Sequence, residues 1–446
     1  MSTESSEGGR GAANRVRPPR APPPPRRSEW RMLVTPESSG EVSRRIQGPD
    51  QTRMLVQEPL KKENNEMSLA INPVHRAVRN ALAIGAAGAA LTIGLGTSQA
   101  LAAPTPSPSA TAAVTAAALP KLPTAPKVRI GFFANVTHAP ALVAQQLRLF
   151  EQNLNREGTA VEYVLFNAGP AAIEAMKGGA IDVSYIGPNP SIAGYTSTNG
   201  TLLKVVSGAT SGGAQLVVKP NIYTVSDLKG KKIATPQLGN TQDVALRSWL
   251  KDQGLRTSIA GGGDVTVIPT ENAQSLTLFK RGDIDGAWLP EPWASRLVLE
   301  AGAKVFLDEK SLWPTGQFVT TNIIASQAFL NQYPGTVRSI LQSNNTAIRY
   351  IAANVTKSKD LVQEQITKWT GKPLPDSVIN RSWGNLRLTW DPLPLTLKKS
   401  ADDAVAAGLL QLKPNGLTGI YDVRLLNSVL RAWKARTVTA AGLGQQ

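Results

Sequence analysis

From residue 127 onward, short apolar segments alternate with amphipathic segments, and this alternation limits the possible fold more than any other feature. Residues 128–133 and 161–166 are rich in β-branched and aromatic residues, which predicts strands. The segment between them carries apolar residues at helical spacing, which predicts a helix. Strands and helices that alternate in this way form a largely parallel sheet covered by helices. We therefore predict an α/β protein whose ligand-binding loops lie at the carboxyl ends of its strands.

A strand–turn–helix unit at residues 233–250 is the strongest local sign of a binding site. Asn240 or Thr241 is expected to cap the helix that follows the turn. The first turn of a helix has free N–H groups and the positive end of the helix dipole, which together favour an anion. Asn240, Thr241 and Gln242 add neutral hydrogen-bond donors. An ordinary turn between a strand and a helix is the alternative interpretation.

The residue types that are missing exclude several functions. The chain has no cysteine and only two histidines, His75 and His138. Disulfides, thiolate metal sites and cysteine nucleophiles are therefore excluded, and a zinc site or a histidine-dependent triad is disfavoured. We expect no cofactor and no metal. The net charge of +16 comes without a nucleic-acid-binding motif, so we expect no nucleic-acid partner.

The first 126 residues divide into three segments by composition. Residues 1–66 are Arg- and Pro-rich and lack apolar periodicity, which predicts a disordered extension; we expect translation to begin at Met67 instead. Residues 67–102 have the basic, apolar and small-residue regions of a cleavable signal peptide. Residues 103–126 are a flexible linker rich in Pro, Ala, Thr and Ser. A retained membrane anchor is the alternative. Without a cysteine for a lipid anchor, we expect a periplasmic protein.

A set of short motifs, each weak alone, occurs in a fixed order along the folded part of the chain. The motifs occupy residues 130–133, 137–140, 178–182, 187–190, 208–213, 227–231, 235–243 and 282–293. In this order they resemble the solute-binding proteins of ABC importers for aliphatic sulfonates, taurine and nitrate, and the sulfonate branch most of all.

The resemblance implies the type II periplasmic-binding-protein fold, in which two α/β lobes close on a ligand. It implies two hinge crossings, which we place near residues 219–222 and 317–321. The first lobe would then contain residues 127–219 together with 318–446, which include the C-terminal helices. The second lobe would contain residues 220–317.

The candidate ligand-binding residues lie on loops that both lobes would bring to the cleft. They are Asn135, Thr137, His138, Asn189, Ser211 and Gly212 from the first lobe, and Asn240, Thr241, Gln242, Trp288 and Glu291 from the second. Ser211 and Gly212 belong to a Gly- and Ser-rich segment that we predict to be a loop. Trp288 could instead face the core. Glu291 could instead stabilise the helix that follows it, or it could bind an amine on the ligand.

The functional hypothesis is a monomeric, extracytoplasmic solute-binding component of an ABC importer that captures aliphatic sulfonates. Its expected partners are an integral-membrane permease and the cytoplasmic ATPase of that permease. Taurine, nitrate or another small anion are alternative ligands. An enzyme of the same fold, either a precursor synthase or a desulfinase, is a further alternative. It is disfavoured because the desulfinase type uses a cysteine nucleophile and the synthase type a histidine-rich site. No hydrolase, phosphate-loop or zinc-protease motif is present in the sequence.

Overall fold

Two β-sheets organise residues 121–446, the part of the chain that the computed structural model describes. The predicted extension 1–66, the signal peptide 67–102 and most of the linker 103–126 lie outside the described residues. The strands are β1 Lys127–Phe132, β2 Ala160–Leu165, β3 Val183–Ile186, β4 Leu203–Gly212, β5 Ala214–Val218, β6 Lys232–Thr235, β7 Thr266–Pro269, β8 Gly286–Pro290, β9 Lys304–Asp308, β10 Val319–Ser326, β11 Leu386–Leu388, β12 Tyr421–Asp422 and β13 Gly444–Gln445.

Helices follow most of these strands and cover both sheets. They are α1 Ala139–Gln146, α2 Leu149–Leu154, α3 Gly169–Lys177, α4 Pro188–Ser197, α5 Thr241–Asp252, α6 Asn272–Arg281, α7 Trp293–Ala301, α8 Gln327–Gln332, α9 Pro334–Ala353, α10 Val355–Thr370, α11 Asp376–Gly384, α12 Pro394–Ala406 and α13 Arg424–Ala432. Among residues 121–446, none of the helices has the length and apolar character needed to cross a bilayer.

The first sheet has the strand order β13-β12-β4-β10-β3-β1-β2, and β11 pairs with β4 beside this path. Strands β1, β2 and β3 are parallel, while β10 runs antiparallel to both β3 and β4. The second sheet has the order β7-β6-β8-β5-β9. Strands β6, β7 and β8 are parallel, and β5 runs antiparallel to β8 and β9. Each sheet forms the centre of one lobe, which confirms the predicted two-lobe α/β fold.

The chain passes from the first sheet to the second earlier than predicted. Strand β5 pairs with β8 and β9, so residues 214–218 belong to the second lobe and not to the first. The crossing therefore lies at Gly212 and Gly213, before the expected position at residues 219–222. The return crossing precedes Val319, where β10 begins.

Side-chain alternation in the second sheet gives that lobe an apolar layer on each face. Leu216 and Trp288 pack with α5 on one face, whereas Val217 and Leu289 pack with α6 and α7 on the other. In the first lobe one larger core surrounds the eight-stranded sheet. Successive strand residues point to opposite faces, so a strand that is apolar throughout is covered on both sides.

The Gly- and Ser-rich segment that we predicted to be a loop is instead the second half of strand β4. Residues 207–211 pair with β10 on one side, and residues 210–212 pair with β11 on the other. Packing requires a glycine at position 208, because a Cβ there would collide with the carbonyl oxygen of Asp391. The small residues in this segment therefore allow close approach of neighbouring backbone, which a sequence pattern alone does not distinguish from a loop.

Replacement of Gly212 should destabilise the crossing between the lobes. Gly212 has a φ of +76°, and a Cβ there would lie 2.8 Å from the carbonyl oxygen of Asn385. We expect Gly212→Val to lower the free energy of unfolding by about 1–3 kcal/mol, since a β-branched residue is strained at positive φ. Urea unfolding of the full chain measures this change.

Gly384→Ala is the matched control for this substitution. Gly384 is the last residue of α11, has ordinary backbone angles, and has nothing within 4 Å of a built Cβ. This control should be neutral or slightly stabilising. Equal effects of the two substitutions would show that the backbone angle at Gly212 does not matter.

Candidate functional site

A small cavity lies between the two lobes, at the carboxyl ends of strands from both sheets. Its volume is about 20 Å³, which is close to the space that one water molecule needs. Its lining is contributed by both lobes: Phe133, Asn135, Thr137, His138, Asn167, Gly187, Thr320 and Thr321 from the first, and Asn240, Thr241, Gln242, Asn272 and Pro290 from the second. A cavity of this size fits only a small chemical group.

Hydrogen-bonding groups line the cavity without any formal charge. Among the described residues, no Lys, Arg, Asp or Glu contributes to its lining. Four α-helices of nine residues or more begin at or beside it: α3, α4, α5 and α6. The first N–H groups of a helix have no carbonyl partner within that helix, and they carry the positive end of its dipole. The cavity is therefore electropositive although its side chains are neutral.

The start of α5 brings unpaired polar groups to the cavity. Asn240 is the N-cap residue, yet its side chain makes no capping hydrogen bond. The Thr241 hydroxyl has no hydrogen-bond partner within residues 121–446, although the residue is only 5% exposed. A buried polar atom without a partner is costly, so an unpaired hydroxyl in a cavity lining indicates a binding role. Across the cleft, a side chain at Gly187 would collide with this hydroxyl, so the lobes approach closely here.

A buried ion pair fixes the first turn of α5 behind the cavity. The Asp243 carboxylate accepts hydrogen bonds from the Thr235 hydroxyl at 2.8 Å, the Gly239 N–H at 3.0 Å and the Arg247 Nε at 3.1 Å. Asp243 and Arg247 are both buried. One carboxylate thus connects the end of β6, the following turn and the helix, which holds Asn240 and Thr241 in position.

Burial keeps His138 neutral. Its Nδ1 accepts a hydrogen bond from the Phe133 N–H at 3.2 Å, and its ring lies 4.4 Å from the Phe133 ring. Desolvation lowers the pKa of His138 to about 3, because the buried site disfavours the charged form. Since Nδ1 is the acceptor, the neutral ring carries its proton on Nε2, which is then a donor.

Two side-chain hydrogen bonds connect the lobes beside the cavity. Asn135 Oδ1 accepts from Trp293 Nε1 at 2.9 Å, which leaves the Asn135 amide N–H groups for another acceptor. Asn167 Nδ2 donates to Glu271 Oε1 at 3.1 Å. Both asparagines line the cavity. The lobes are therefore in a closed arrangement, and some of their contacts are made by residues of the site itself.

The structure brings six of the eleven candidate residues together in the cavity lining. These six are Asn135, Thr137, His138, Asn240, Thr241 and Gln242. Their contact with a ligand stays a prediction.

Three first-lobe candidates lie elsewhere and make structural contacts. Asn189 Nδ2 donates to the Ser400 carbonyl at 2.9 Å and so joins α4 to α12. Ser211 Oγ accepts from the Phe318 N–H at 3.2 Å, and the Gly212 N–H donates to the Phe318 carbonyl at 3.2 Å. Both are residues of strand β4, and the predicted loop that would have presented them to a ligand is absent from the described fold.

The two remaining second-lobe candidates are fully buried outside the cavity lining. The Trp288 ring packs in the core against Trp249, with the ring centroids 6.0 Å apart, and its Nε1 donates to Glu309 Oε2 at 2.8 Å. Glu291 pairs with Arg381 at 3.2 Å and accepts from the Asn385 side chain at 2.6 Å. Glu291 therefore connects the second lobe to the region around α11.

Sequence reasoning missed several lining residues, and some of them carried a recognisable signal. Asn272 is the first residue of α6 after β7, and Asn167 lies two residues before α3 after β2, whereas Asn240 is the N-cap residue of α5. All three belong to strand-to-helix turns, so considering every polar residue of such turns, and not the N-cap position alone, would have included both. Thr320 and Thr321 lie within strand β10, where the sequence gives no indication of a cavity.

Two lobes with separate sheets, two chain crossings and a polar cavity between them define a two-lobed binding protein. The chain belongs to the NMT1-like family, whose model matches residues 121–364.

Comparisons with individual proteins agree with this class. The chain is 26% identical over 216 residues to a taurine-binding periplasmic protein from Escherichia coli, an alignment that covers 48% of this chain and 64% of that relative. It shares its fold with the alkanesulfonate-binding protein SsuA of Xanthomonas axonopodis bound to MOPS, with a TM-score of 0.55, 24% identity, and coverage of 65% and 95% of the two chains. The periplasmic nitrate-binding protein NrtA of Synechocystis gives a TM-score of 0.56 at 16% identity, with coverage of 72% and 88%.

The neutral state of His138 should appear as a pH dependence of stability. In the unfolded chain, His138 binds a proton with its ordinary pKa of 6.5. In the folded chain its pKa is about 3, so it stays neutral down to about that pH. His138 should therefore lower stability by roughly 1.4 kcal/mol per pH unit as the pH falls from about 6 to 4. We expect this slope in the difference between the unfolding free energies of the wild type and of His138→Gln.

Urea unfolding of both proteins at several pH values in this range measures the difference. Taking the difference removes the contributions of the carboxylates, which are the same in both proteins. A difference that stays constant with pH would contradict the buried neutral imidazole.

Proposed function

We propose that this protein is the extracytoplasmic solute-binding component of an ABC importer and that it captures aliphatic sulfonates between its lobes. The observation that carries the proposal is a cavity lined by neutral donors and helix starts from both lobes, with no charged side chain among the described lining residues. The relatives named as binding proteins for taurine, alkanesulfonate and nitrate support the same class of ligand, a small anion with several oxygens.

The chemistry of a sulfonate suits this lining. Its three oxygens share one negative charge, and it stays ionised at ordinary pH, so it accepts many hydrogen bonds and offers no proton. Hydrogen bonds to a charged acceptor are stronger than neutral ones. The donors at Asn240, Thr241 and Gln242 come from one lobe, and those at Asn135, Thr137 and His138 come from the other. A bound anion therefore pairs with both sets only when the lobes are closed, which couples binding to closure.

The proposal assigns transport rather than catalysis to the cavity. His138 is the one titratable side chain among the described lining residues, and burial holds it neutral. The partners are an integral-membrane permease, which would receive the closed loaded protein, and the cytoplasmic ATPase of that permease. We propose a monomer, because the cavity is completed by two lobes of one chain. Export through the sequence at 67–102 would place the protein outside the cytoplasm.

Isothermal titration of the purified full chain with ethanesulfonate, taurine, nitrate and sulfate tests the ligand class. We expect micromolar binding of at least one sulfonate, with weaker binding of nitrate. We also expect the affinity for ethanesulfonate to stay constant between pH 5 and pH 9, since neither its sulfonate nor His138 changes charge in that interval.

Two results would contradict parts of this proposal. Failure of all four compounds to bind would contradict the assignment of a small anion as the ligand, but it would not contradict the two-lobe fold. An affinity that falls steeply above about pH 6.5 would show that a protonated histidine holds the anion, against the neutral site described above.

Removal of the Thr241 hydroxyl should weaken sulfonate binding without harming the fold. We expect Thr241→Val to reduce affinity about tenfold, because one hydrogen bond to a charged acceptor contributes about 1.5 kcal/mol or more. Stability should be unchanged or raised, because the hydroxyl has no protein partner to lose. Thr277→Val, at an exposed position on α6 of the same lobe, is the control and should leave the affinity unchanged. A wild-type affinity in the Thr241→Val variant would exclude this hydroxyl from the site.

A further inference from the structure

A group of lysines lies at the end of the second lobe that is farthest from the cavity. Strands β6, β7 and β8 are parallel and their carboxyl ends lead to the cavity, so their first residues mark the opposite end of the lobe. Strand β5 ends and β9 begins at the same level, because Val218 pairs with both Gly286 and Lys304. We call this end the second-lobe pole. Its lysines are Lys219, Lys229, Lys231, Lys232 and Lys304.

Backbone hydrogen bonds hold the segments of the pole side by side. The Lys219 N–H donates to the Asp285 carbonyl, and the Asp285 N–H donates to the Lys232 carbonyl, both at 2.8 Å. The Gly230 N–H donates to the Asp264 carbonyl at 2.7 Å. These lysines therefore belong to one continuous surface at the end of the sheet.

The acidic groups beside the lysines already have partners. Asp285 pairs with Lys219 at 2.8 Å, and Asp264 pairs with Arg256 at 3.2 Å. Backbone N–H groups donate to the Asp227 carboxylate and hold its pKa below the ordinary value. Among residues 121–446, the four lysines other than Lys219 form no ion pair. The pole therefore carries an excess of positive charge.

An exposed tyrosine and an exposed valine accompany the lysines. Tyr223 is 75% exposed, and the Lys304 Nζ lies 3.4 Å from the centroid of its ring. Val305 follows Lys304 on the edge strand β9 and is 40% exposed. At the surface of an anionic bilayer, ammonium groups meet lipid phosphates, tyrosine rings lie at the level of the headgroups, and aliphatic groups enter the acyl boundary. The pole presents all three kinds of group.

We propose that the second-lobe pole binds reversibly to a lipid bilayer that contains anionic phospholipids. The exposed apolar groups favour a bilayer over a soluble polyanion, which would pair with the lysines alone. The cavity lies at the opposite ends of the same strands, so a bound pole leaves the cleft accessible to a ligand. This inference goes beyond the proposed function and does not depend on the identity of the ligand.

A fluorescent label at the pole tests the contact. The chain has no cysteine, so Asn221→Cys, at an exposed position two residues before Tyr223, gives a single site for a polarity-sensitive dye. The labelled full chain is titrated with vesicles of phosphatidylcholine, alone or mixed with phosphatidylglycerol. We expect a blue shift of the emission with the anionic vesicles only, and salt at about 0.5 M should reverse it. The same dye at Thr356→Cys, exposed on α10 of the first lobe, should not respond.

Two triple variants with the same loss of charge separate the pole from general attraction. The pole variant combines Lys229→Gln, Lys231→Gln and Lys232→Gln. The control variant combines three exposed positions of the first lobe, Lys357→Gln, Lys368→Gln and Lys372→Gln. Each lysine near an anionic surface increases binding about fivefold. The pole variant should therefore weaken vesicle binding about tenfold or more, and the control variant less than about threefold.

Each other outcome overturns the inference. A missing blue shift, or an equal shift with phosphatidylcholine alone, would exclude charge-dependent contact at the pole. Binding that survives in the pole variant, or that falls equally in the two variants, would exclude these lysines as the cause. The same shift produced by polyphosphate without vesicles would assign the pole to a soluble polyanion. Circular dichroism of every variant confirms that it is folded, and the proposed function is tested separately by its own titration.

Discussion

The buried carboxylate of Glu291 joins helix α7 of the second lobe to helix α11. It is fully buried and accepts hydrogen bonds from Arg381 at 3.2 Å, from the Ser382 hydroxyl at 3.1 Å and from the Ser295 N–H at 3.0 Å. The backbone of Glu291 also donates to the Gly213 carbonyl at the crossing between the lobes. A buried charge requires such partners, because an unpaired one would cost several kcal/mol. The position of the site therefore depends on a residue outside its lining.

Hydrogen bonds between the lobes near the crossing and at the cavity differ in how readily they break. Near the crossing, Arg381 donates to Gln215 and Ser295 as well as to Glu291, and these three acceptors are buried. At the cavity the lobes meet through single hydrogen bonds, such as Asn167 to Glu271, whose side chains are exposed. Water can replace the second kind at little cost, but not the first. Opening of the cleft would therefore begin at the cavity and leave the crossing intact.

The part of this site that could be predicted from the sequence is the part that a short continuous segment forms. Asn240, Thr241 and Gln242 follow a strand and begin a helix, and that arrangement predicts an anion site from the residues alone. The face of β8 that carries Trp288 was not predictable in this way. A strand covered by helices on both faces is apolar throughout, so alternation does not reveal which face meets a ligand.

Long-range pairing explains the other errors. Strand β4 continues through Ser211 because β10 and β11 flank it, and both are distant in sequence. The same holds for Thr320 and Thr321, which reach the cavity only because β10 returns from the second lobe to the first. The order of strands and helices, in contrast, follows from periodicity within short segments, so the α/β class could be predicted from the residues. The two-lobe architecture was predicted from the resemblance to importer binding proteins, and the crossing at Gly213 was predicted by neither.

The described lining of the cavity between the lobes contains no charged side chain. The groups that attract an anion from a distance therefore differ from those that select it within the cleft. The field of aligned dipoles falls off with distance faster than that of a net charge, so the cavity acts on an anion only once it has entered the cleft. Residues 103–446 hold 34 Lys and Arg against 23 Asp and Glu, a net charge of +11, which raises the local concentration of any anion without distinguishing among them. Salt in the surroundings screens this outer attraction over about 10 Å, whereas the enclosed donors are screened much less. The rate of capture and the lifetime of the complex are thus set by different parts of the molecule.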